Sequence, residues 1–468
     1  MEDLRVARLE NFKLFQDISV VRNIIFYYRQ YQAYLQVMSA SRGDSEAKRN
    51  SYTTYGHRQY WWSPQNSPDD EADDPVPQEV SPLEQYRRVQ RSITQVPRRI
   101  YILGPGNIGG FVAHSLASLP HPPPIQLLFY TQRQLTDWYE QGRSIKLRTH
   151  GLVDTKLGFG VERIGRPAAT TESSSKDDPQ PLPSNPYEEP IIFNLVVAVK
   201  AYSTVDALKR VAHRLRPVSS ILFISNGMGI IEEVNKRVFP DPAKRPQYLL
   251  GVISHGVYTA NPFDIIHAGA GTIAIAVIPQ NIKEIKPTFE SSALYLLRTL
   301  TRSPVLSAVG FPPTDLLQLQ LEKLVVNAII NPLTAIYGCR NGDLLHQPAI
   351  SRVMRLLLAE ISLVIKSLPE LQGVPNVNVR FDTRRLEAEV VGIATKTAPN
   401  KSSMLQDIKR GGKPTEIEYI TGYIVRRGEE VGIQCIMNYM IMQMVLAKQR
   451  MRGKSRTNLL PVEENDTD

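Results

Sequence analysis

The stretch that decides the fold is Arg99-Ile-Tyr-Ile-Leu-Gly-Pro-Gly-Asn-Ile-Gly109. It joins an apolar strand to a turn of the G-x-G-x-x-G type, and apolar residues at helical spacing follow over residues 111–119. Such a turn lets the backbone approach a pyrophosphate, which the N-terminus of the following helix attracts. The segment predicts a dinucleotide-binding domain, and the alternative is a glycine turn without a ligand. The candidate cofactor-binding residues of the turn are Gly104, Gly106, Asn107, Ile108 and Gly109.

Strands and helices alternate on the C-terminal side of this turn. The second strand comes at 125–130, and further apolar strands are predicted at 191–199, 220–225, 249–254 and 272–279, with a helix at 204–215. This order is typical of a mainly parallel, doubly wound α/β sheet, so we assign residues 98–312 to a Rossmann domain. A stretch rich in Ser, Pro and Asp at 170–190 is predicted to be a surface insertion.

The residues after the second strand bear on the choice of dinucleotide. They read Tyr130-Thr-Gln-Arg133, where an NAD enzyme would carry Asp or Glu against the ribose 2′-hydroxyl. No acid stands there to repel a phosphate, and Arg133 could pair with the 2′-phosphate of NADP. The sequence therefore favours NADPH over NADH, with a solvated surface arginine as the alternative.

Beyond residue 312 the pattern is almost entirely helical. Helices are predicted at 316–330, 349–368, 381–395 and 415–446. We therefore assign residues 313–447 to an all-α domain and 448–468 to a charged tail, whose basic start is interpreted as a solvated final helical turn.

A polar row crosses the first of these helices. Lys323, Asn327 and Asn331 are spaced i, i+4 and i+8 among Leu, Val and Ile, so they share one helix face. Pro332 is expected to kink or end the helix there. A solvated face is the alternative to a cleft, but the apolar flanks favour the cleft. A lysine in a partly dry cleft can have its pKa lowered towards neutrality and donate a proton to a carbonyl oxygen.

A third group of polar residues lies at Asn400-Lys-Ser-Ser-Met-Leu-Gln-Asp407 and Thr415-Glu-Ile-Glu418. Ser402 or Ser403 could cap a helix, and Thr415 with Glu418 has the spacing of a capping box. The residues by themselves leave a structural and a chemical role equally open.

Composition narrows the class of protein. The chain has 468 residues, 42% of them hydrophobic, which suits a folded protein of two to four domains, and its net charge of +9 does not choose among an anionic small molecule, nucleic acid and a membrane surface. Cys339 and Cys435 lack the spacing of a metal site, so we expect no metal and a reducing compartment. No apolar run is long enough to span a bilayer.

Residues 1–97 are predicted to be a partly disordered extension rather than a targeting or docking arm. The cytoplasm is the default compartment and a mitochondrial address the alternative.

Taken together, these segments resemble the ketopantoate reductases (2-dehydropantoate 2-reductases). The similarity runs in order over about residues 98–448. It rests on the glycine turn, Val199-Lys-Ala201, Ser225-Asn-Gly-Met-Gly229, the segment from Lys323 to Ala335 with Asn341-Gly342, and the third polar group. The lysine-containing and Ser-Ser-Met-Leu-Gln-Asp segments are the specific ones.

The resemblance implies a Rossmann domain and a helical domain like that of 6-phosphogluconate dehydrogenase, with the active site in the cleft between them. It implies NADPH-dependent reduction of ketopantoate to pantoate, for pantothenate and coenzyme A synthesis, by a monomer or homodimer with a small keto acid as partner. The roles it implies are general acid for Lys323, positioning carboxylate for Glu416, cofactor side of the cleft for Lys200 and Asn226, and substrate binding for Asn327, Asn331, Asn341 and Ser403.

Two alternatives to this function remain at the level of sequence. One is a reductase of another small 2-keto acid, because pocket shape is not visible in the sequence. The other is a non-catalytic NADP-binding regulatory or RNA-associated protein of the same fold. The retained lysine and amides disfavour it, so we do not expect nucleic acid as a partner.

Overall fold

The computed structural model describes residues 97–165, 189–279, 291–411 and 414–453. Nearly all of the predicted extension at 1–97, most of the insertion at 170–190 and most of the tail at 448–468 lie outside these residues. In the part of the chain that is described, no helix is long and apolar enough to cross a membrane.

The N-terminal part is an α/β domain built on an eight-stranded sheet. In chain order its elements are β1 Ile100–Leu103, α1 Asn107–Ala117, β2 Ile125–Phe129, α2 Gln132–Glu140, β3 Ile145–Thr149, β4 Leu152–Lys156, β5 Gly160–Arg163, β6 Asn194–Val197, α3 Ala201–Lys209, β7 Ser220–Phe223, α4 Ile230–Arg237, β8 Gln247–Ile253, β9 Gly256–Asn261, β10 Asp264–Gly269, β11 Ile273–Ile278, α5 Ser292–Thr301 and β12 Ala308–Gly310. The sheet has the order β12-β11-β8-β7-β6-β1-β2-β5. Strand β1 is fully buried between β2 and β6, both parallel to it, as a βαβ opening requires.

The predicted fold class is confirmed, with one correction to the sheet. Strand β11 pairs antiparallel to β8 rather than continuing the parallel order. The reason lies in the connection, because β8 and β11 are joined through strands β9 and β10 and not through a crossover helix.

A second sheet, which the sequence did not predict, has the order β4-β3-β10-β9. Its central strands, β3 and β10, pair in parallel and are far apart in sequence. Arg148 on β3 donates two hydrogen bonds, of 2.7 and 2.8 Å, to the carboxylate of Asp264 on β10. Strand β4 is an exposed edge without an apolar pattern, which explains why local sequence gave no signal for it.

The C-terminal part is helical. Its helices are α6 Pro313–Tyr337, α7 Pro348–Ser367, α8 Val377–Arg380, α9 Thr383–Lys396, α10 Ser403–Lys409, α11 Ile417–Glu430 and α12 Ile436–Gly453. The boundary proposed at 312 and 313 stays a prediction.

The extents of two predicted helices were wrong. Helix α6 does not end at Pro332 but continues to Tyr337, because the surrounding residues are buried in the helical core and their packing outweighs one missing hydrogen bond. The helix expected over 415–446 is two helices, separated by a turn in which Gly432 has a φ of +75°. The second of them runs past Lys448, whose Nζ donates to the carbonyl of Ile336 instead of being fully solvated.

Beside α1, the buried His255 contacts the half-buried His267. His255 Nε2 is 2.9 Å from the carbonyl oxygen of Leu306, and its Nδ1 is 3.1 Å from the amide nitrogen of Gly271 and 3.0 Å from His267 Nε2. A carbonyl only accepts and an amide only donates, so His255 must be neutral with its proton on Nε2. Burial lowers its pKa to about 4, and its side chain is only 8% exposed.

This pair predicts a loss of stability in acid. The unfolded chain binds a proton at His255 below about pH 6.5, whereas the folded chain resists it down to about pH 4, so stability present above pH 6.5 is lost as the pH falls. Between pH 7 and pH 4.5 this site should lower the free energy of unfolding by about 2–3 kcal/mol. Urea unfolding of the wild type and His255→Gln at both pH values checks it. Equal pH dependence in the two proteins would contradict the assignment.

Candidate active site

The glycines of the turn between β1 and α1 are of two kinds, tightly packed ones that the fold requires and one that faces open space. Gly104 has a φ of +85°, and a Cβ there would lie 2.4 Å from Val199 Cγ1, while a Cβ on Gly109 would lie 2.3 Å from the Gly104 carbonyl oxygen. A Cβ on Gly106 would have no atom within 4 Å. Gly104 and Gly109 therefore shape the turn, and Gly106 borders free space.

The residues next to this space fit a dinucleotide phosphate. The first turn of α1 carries no acidic residue, so its N-terminus keeps its affinity for an anion. Asn107 begins the helix, and its Oδ1 accepts a hydrogen bond of 3.1 Å from Thr259 on β9. Ile108 is half-buried against the apolar core of the domain.

Arg133 lies near the same edge of the sheet, just beyond the carboxyl end of β2. Helix α2 is capped by Thr131 and Gln134, so the Arg133 side chain is not needed as a cap and is 89% exposed. Its contact among the described residues is a 4.0 Å approach to Asp137. The guanidinium is therefore accessible to an anionic ligand.

Lys323 on α6 is held by two oxygens of the α/β domain. Its Nζ donates to Asn226 Oδ1 at 2.9 Å and to the carbonyl of Ile253, at the end of β8, at 2.7 Å. Burial lowers the pKa of Lys323 to about 8, against the opposing influence of the Glu416 carboxylate. Since an ammonium has three N–H donors, one donor remains for a ligand in the cleft.

Glu416 is the centre of a buried polar cluster behind this lysine. It is 4% exposed, and its Oε1 accepts from the amide of Ala201 at 3.2 Å. Its Oε2 lies 3.4 Å from Lys200 Nζ and 3.3 Å from Asn226 Nδ2. Asn226 thus contacts both Glu416 and Lys323, which fixes its amide orientation.

Lys200 also bonds to a second carboxylate. Its Nζ is 2.9 Å from Asp407 Oδ2 on α10. Burial by itself would lower the pKa of Lys200, but Glu416 and Asp407 raise it above its ordinary value, so this lysine stays charged. We call Asp407, Lys200, Glu416, Asn226 and Lys323 the polar chain of the cleft.

The other candidate residues do not join the polar chain by direct hydrogen bonds. Asn327 lines a small cavity of about 20 Å³ together with Lys323 and Asn226. Asn331 is buried further along α6. Asn341 donates to Thr397 at 2.9 Å, and its Oδ1 is buried without a partner among the described residues.

The two serines of the third polar group have different roles, one in capping a helix and one that is free to contact a ligand. Ser402 caps α10, accepting from the amide of Leu405, so Ser403 is left exposed at the first helical position. The capping box expected from Thr415 and Glu418 does not form, because Glu416 occupies the N-cap position of α11.

Three partners in this cluster were not predicted as site residues. Asp407 belongs to the third polar group, and an acidic residue near the end of a Ser-capped helix could have been recognised from the sequence as a candidate site residue. Ile253 and Ala201 act through their backbone carbonyl and amide, for which side-chain identity gives no signal. Among the described residues, no group of three or more His, Cys, Asp or Glu could hold a metal ion.

Sequence profiles match both parts of the chain. One described as ketopantoate reductase PanE/ApbA matches residues 100–280, and one described as ketopantoate reductase PanE/ApbA C terminal matches residues 315–449. The two matches cover the α/β domain up to β11 and most of the helical part.

Individual relatives agree with the profiles. A probable 2-dehydropantoate 2-reductase of Schizosaccharomyces pombe is 31% identical over 356 residues, which are 75% of this chain and 96% of that protein. A ketoisovalerate reductase of Gibberella fujikuroi is 28% identical over 369 residues, 71% of this chain and 78% of the relative. The fold is that of the solved probable 2-dehydropantoate 2-reductase from Bacillus subtilis, with a TM-score of 0.52, 24% identity, and coverage of 75% of this chain and 99% of that one.

Proposed function

This chain belongs to the ketopantoate reductase family, and we propose that it catalyses the NADPH-dependent reduction of 2-dehydropantoate to pantoate. It is an oxidoreductase acting on a CH–OH group, which argues against the non-catalytic alternative. The observation that carries the proposal is the geometry at Lys323, an ammonium with a pKa of about 8 and one free donor in the cleft.

Lys323 has the properties of a general acid for carbonyl reduction. A reduced nicotinamide dinucleotide, held by its pyrophosphate at the glycine turn, would supply the hydride. The remaining N–H of Lys323 can then protonate the substrate oxygen, and a pKa near the working pH makes both the protonated acid and its conjugate base accessible. Asn226 and the Ile253 carbonyl hold Nζ in place while this proton moves.

The rest of the polar chain keeps Lys323 in position. Glu416 bonds to Asn226 and not directly to Lys323 Nζ, so its carboxylate orients the amide that holds the lysine. Lys200 completes the cluster, because its ammonium pairs with both carboxylates and offsets the buried negative charge of Glu416 and Asp407. We propose that Asn327, Asn331, Asn341 and Ser403 form the hydrogen bonds to the carboxylate and hydroxyl of the keto acid.

The direct test is the loss of NADPH absorbance on adding 2-dehydropantoate to the purified full-length chain. We expect saturable, enzyme-dependent oxidation of NADPH. Binding of NADPH without oxidation would retain the cofactor site and remove the substrate assignment. Absence of both binding and turnover would overturn the proposal as a whole.

A second candidate substrate is 2-ketoisovalerate, because ketoisovalerate reductases are among the relatives. The two keto acids differ by the hydroxymethyl group of 2-dehydropantoate. A site built to hydrogen-bond a hydroxyl can reject an analogue lacking it by a factor of up to about 10⁴. We expect kcat/KM to favour 2-dehydropantoate, and a ratio in favour of 2-ketoisovalerate would select the second function.

Arg133 predicts the choice of dinucleotide. Replacing it by alanine should weaken NADPH binding by about tenfold or more, because a charge-assisted bond to the 2′-phosphate is lost, and leave NADH binding unchanged. The matched control is Arg143→Ala, which removes an exposed arginine stacked on Tyr139 at the other end of α2. Fluorescence titration with both dinucleotides gives the measurement. Equal weakening of NADPH and NADH would refute the role of Arg133.

A further inference from the structure

A second and larger opening lies behind the loop that carries Asn226. It is a cavity of about 190 Å³ between the main sheet and helices α4, α6 and α11. Its apolar walls include Phe223, Met228, Ile230, Leu250, Ile278 and Leu317. No member of the polar chain lines it, and it adjoins the small cavity beside Lys323, with which it shares Ser225, Gly227, Gly251 and Gln320.

The volume sets the size of a molecule that could enter. An apolar cavity of about 150 Å³ engineered into a protein core holds benzene. A cavity of about 190 Å³ therefore accepts a ring or branched chain of roughly eight non-hydrogen atoms.

The charges around the cavity determine the polar group that it favours. The guanidinium of Arg427 is occupied, because it bonds to both carboxylate oxygens of Glu370 and lies 2.7 Å from Glu430. Glu232, an exposed residue in the first turn of α4, stands at the mouth of the cavity and has no hydrogen bond or ion pair with any described residue. The unpaired charge is thus negative, which favours an ammonium group and disfavours keto acids and phosphates.

The cavity is physically connected to the polar chain. Gly227 lines the cavity and directly follows Asn226. The next amide, that of Met228, donates to the Tyr419 carbonyl on α11 at 2.8 Å. The same helix has Glu416 as its N-cap and presents Tyr423 to the cavity. A molecule in the cavity therefore touches both the loop and the helix that position Asn226.

We propose that this cavity is an effector site for a small apolar molecule bearing one ammonium group, coupled through the 225–229 loop to the active site. The inference goes beyond the proposed function, and its test does not require turnover. A ligand that binds differently to two positions of the loop shifts the population of those positions.

Binding is tested with benzylamine, benzyl alcohol and benzoate as probes of one shape and three charges, titrated against the full-length protein by ligand-observed NMR. We expect saturable binding of benzylamine, weaker binding of benzyl alcohol and none of benzoate. Glu232→Gln should raise the Kd of benzylamine about three- to fivefold and leave that of benzyl alcohol unchanged. Leu317→Trp should abolish binding of both, whereas Leu319→Trp, on the same helix but outside the cavity, should not.

Coupling is tested by hydrogen exchange of the peptide containing Met228. Benzylamine should slow exchange of the Met228 amide in the wild type and in Leu319→Trp, but not in Leu317→Trp. Benzylamine binding that survives Leu317→Trp, or no saturable binding at all, would overturn the site. Binding without a change in this amide would overturn the coupling.

Discussion

Replacing Lys323 by alanine is expected to lower kcat by about 10²–10⁴-fold, the range that a positioned general acid contributes. The variant loses the group that protonates the substrate oxygen. It retains the glycine turn and Arg133, so NADPH binding should be nearly unchanged. Steady-state kinetics with 2-dehydropantoate and a fluorescence titration with NADPH separate the two effects.

The control for this variant is Lys209→Ala, which removes an exposed lysine at the end of α3. It should turn over at the wild-type rate. A Lys323→Ala protein of unchanged kcat would reject the assignment of the acid. If Lys323→Ala instead lost NADPH binding along with activity, the lysine would be a part of the cofactor site.

The same residue predicts the pH dependence of the reduction. The acid must be protonated to act, and its pKa is about 8. The rate of reduction should therefore be level below pH 7 and fall about tenfold per pH unit well above pH 8. A single-turnover profile of the wild type between pH 6 and 10 gives this limb. A profile that stays level to pH 10 would contradict a lysine with a lowered pKa.

The second large effect is expected at the glycine turn, where alanine at Gly109 should lower stability and alanine at Gly106 should lower NADPH affinity. Gly109→Ala places a Cβ 2.3 Å from the Gly104 carbonyl oxygen, so the turn must shift. Overpacking of this kind should cost about 1–3 kcal/mol of stability. Gly106→Ala meets no atom within 4 Å, so the fold should tolerate it, while the methyl group enters the space proposed for the pyrophosphate.

Thermal unfolding and NADPH titration of both variants provide the measurement. We expect a lowered Tm for Gly109→Ala, and a near wild-type Tm with NADPH affinity weakened about tenfold or more for Gly106→Ala. Each glycine variant serves as the control for the other. Wild-type NADPH affinity in Gly106→Ala would show that the space beside Gly106 is not the binding site.

Much of the fold could be predicted because its signals are local. The turn from Gly104 to Gly109 follows a buried strand and opens a helix, and these features occupy one short segment. The row of Lys323, Asn327 and Asn331 was also visible, since helical periodicity alone puts those positions on one face. The helix end predicted at Pro332 was wrong, because burial of the surrounding residues, which local sequence does not show, keeps the helix intact.

The sequence by itself determined the fold class, the position of the glycine turn and the residue type of the candidate acid. Only the tertiary structure decided which groups hydrogen-bond to that acid and where the 225–229 loop lies relative to it. Lys323 contacts a carbonyl 70 residues away, Lys200 contacts a carboxylate 207 residues away, and Arg148 contacts Asp264 across 116 residues. Periodicity and spacing describe neighbours along the chain, whereas the burial and the pairing that tune a lysine depend on segments that meet only after folding.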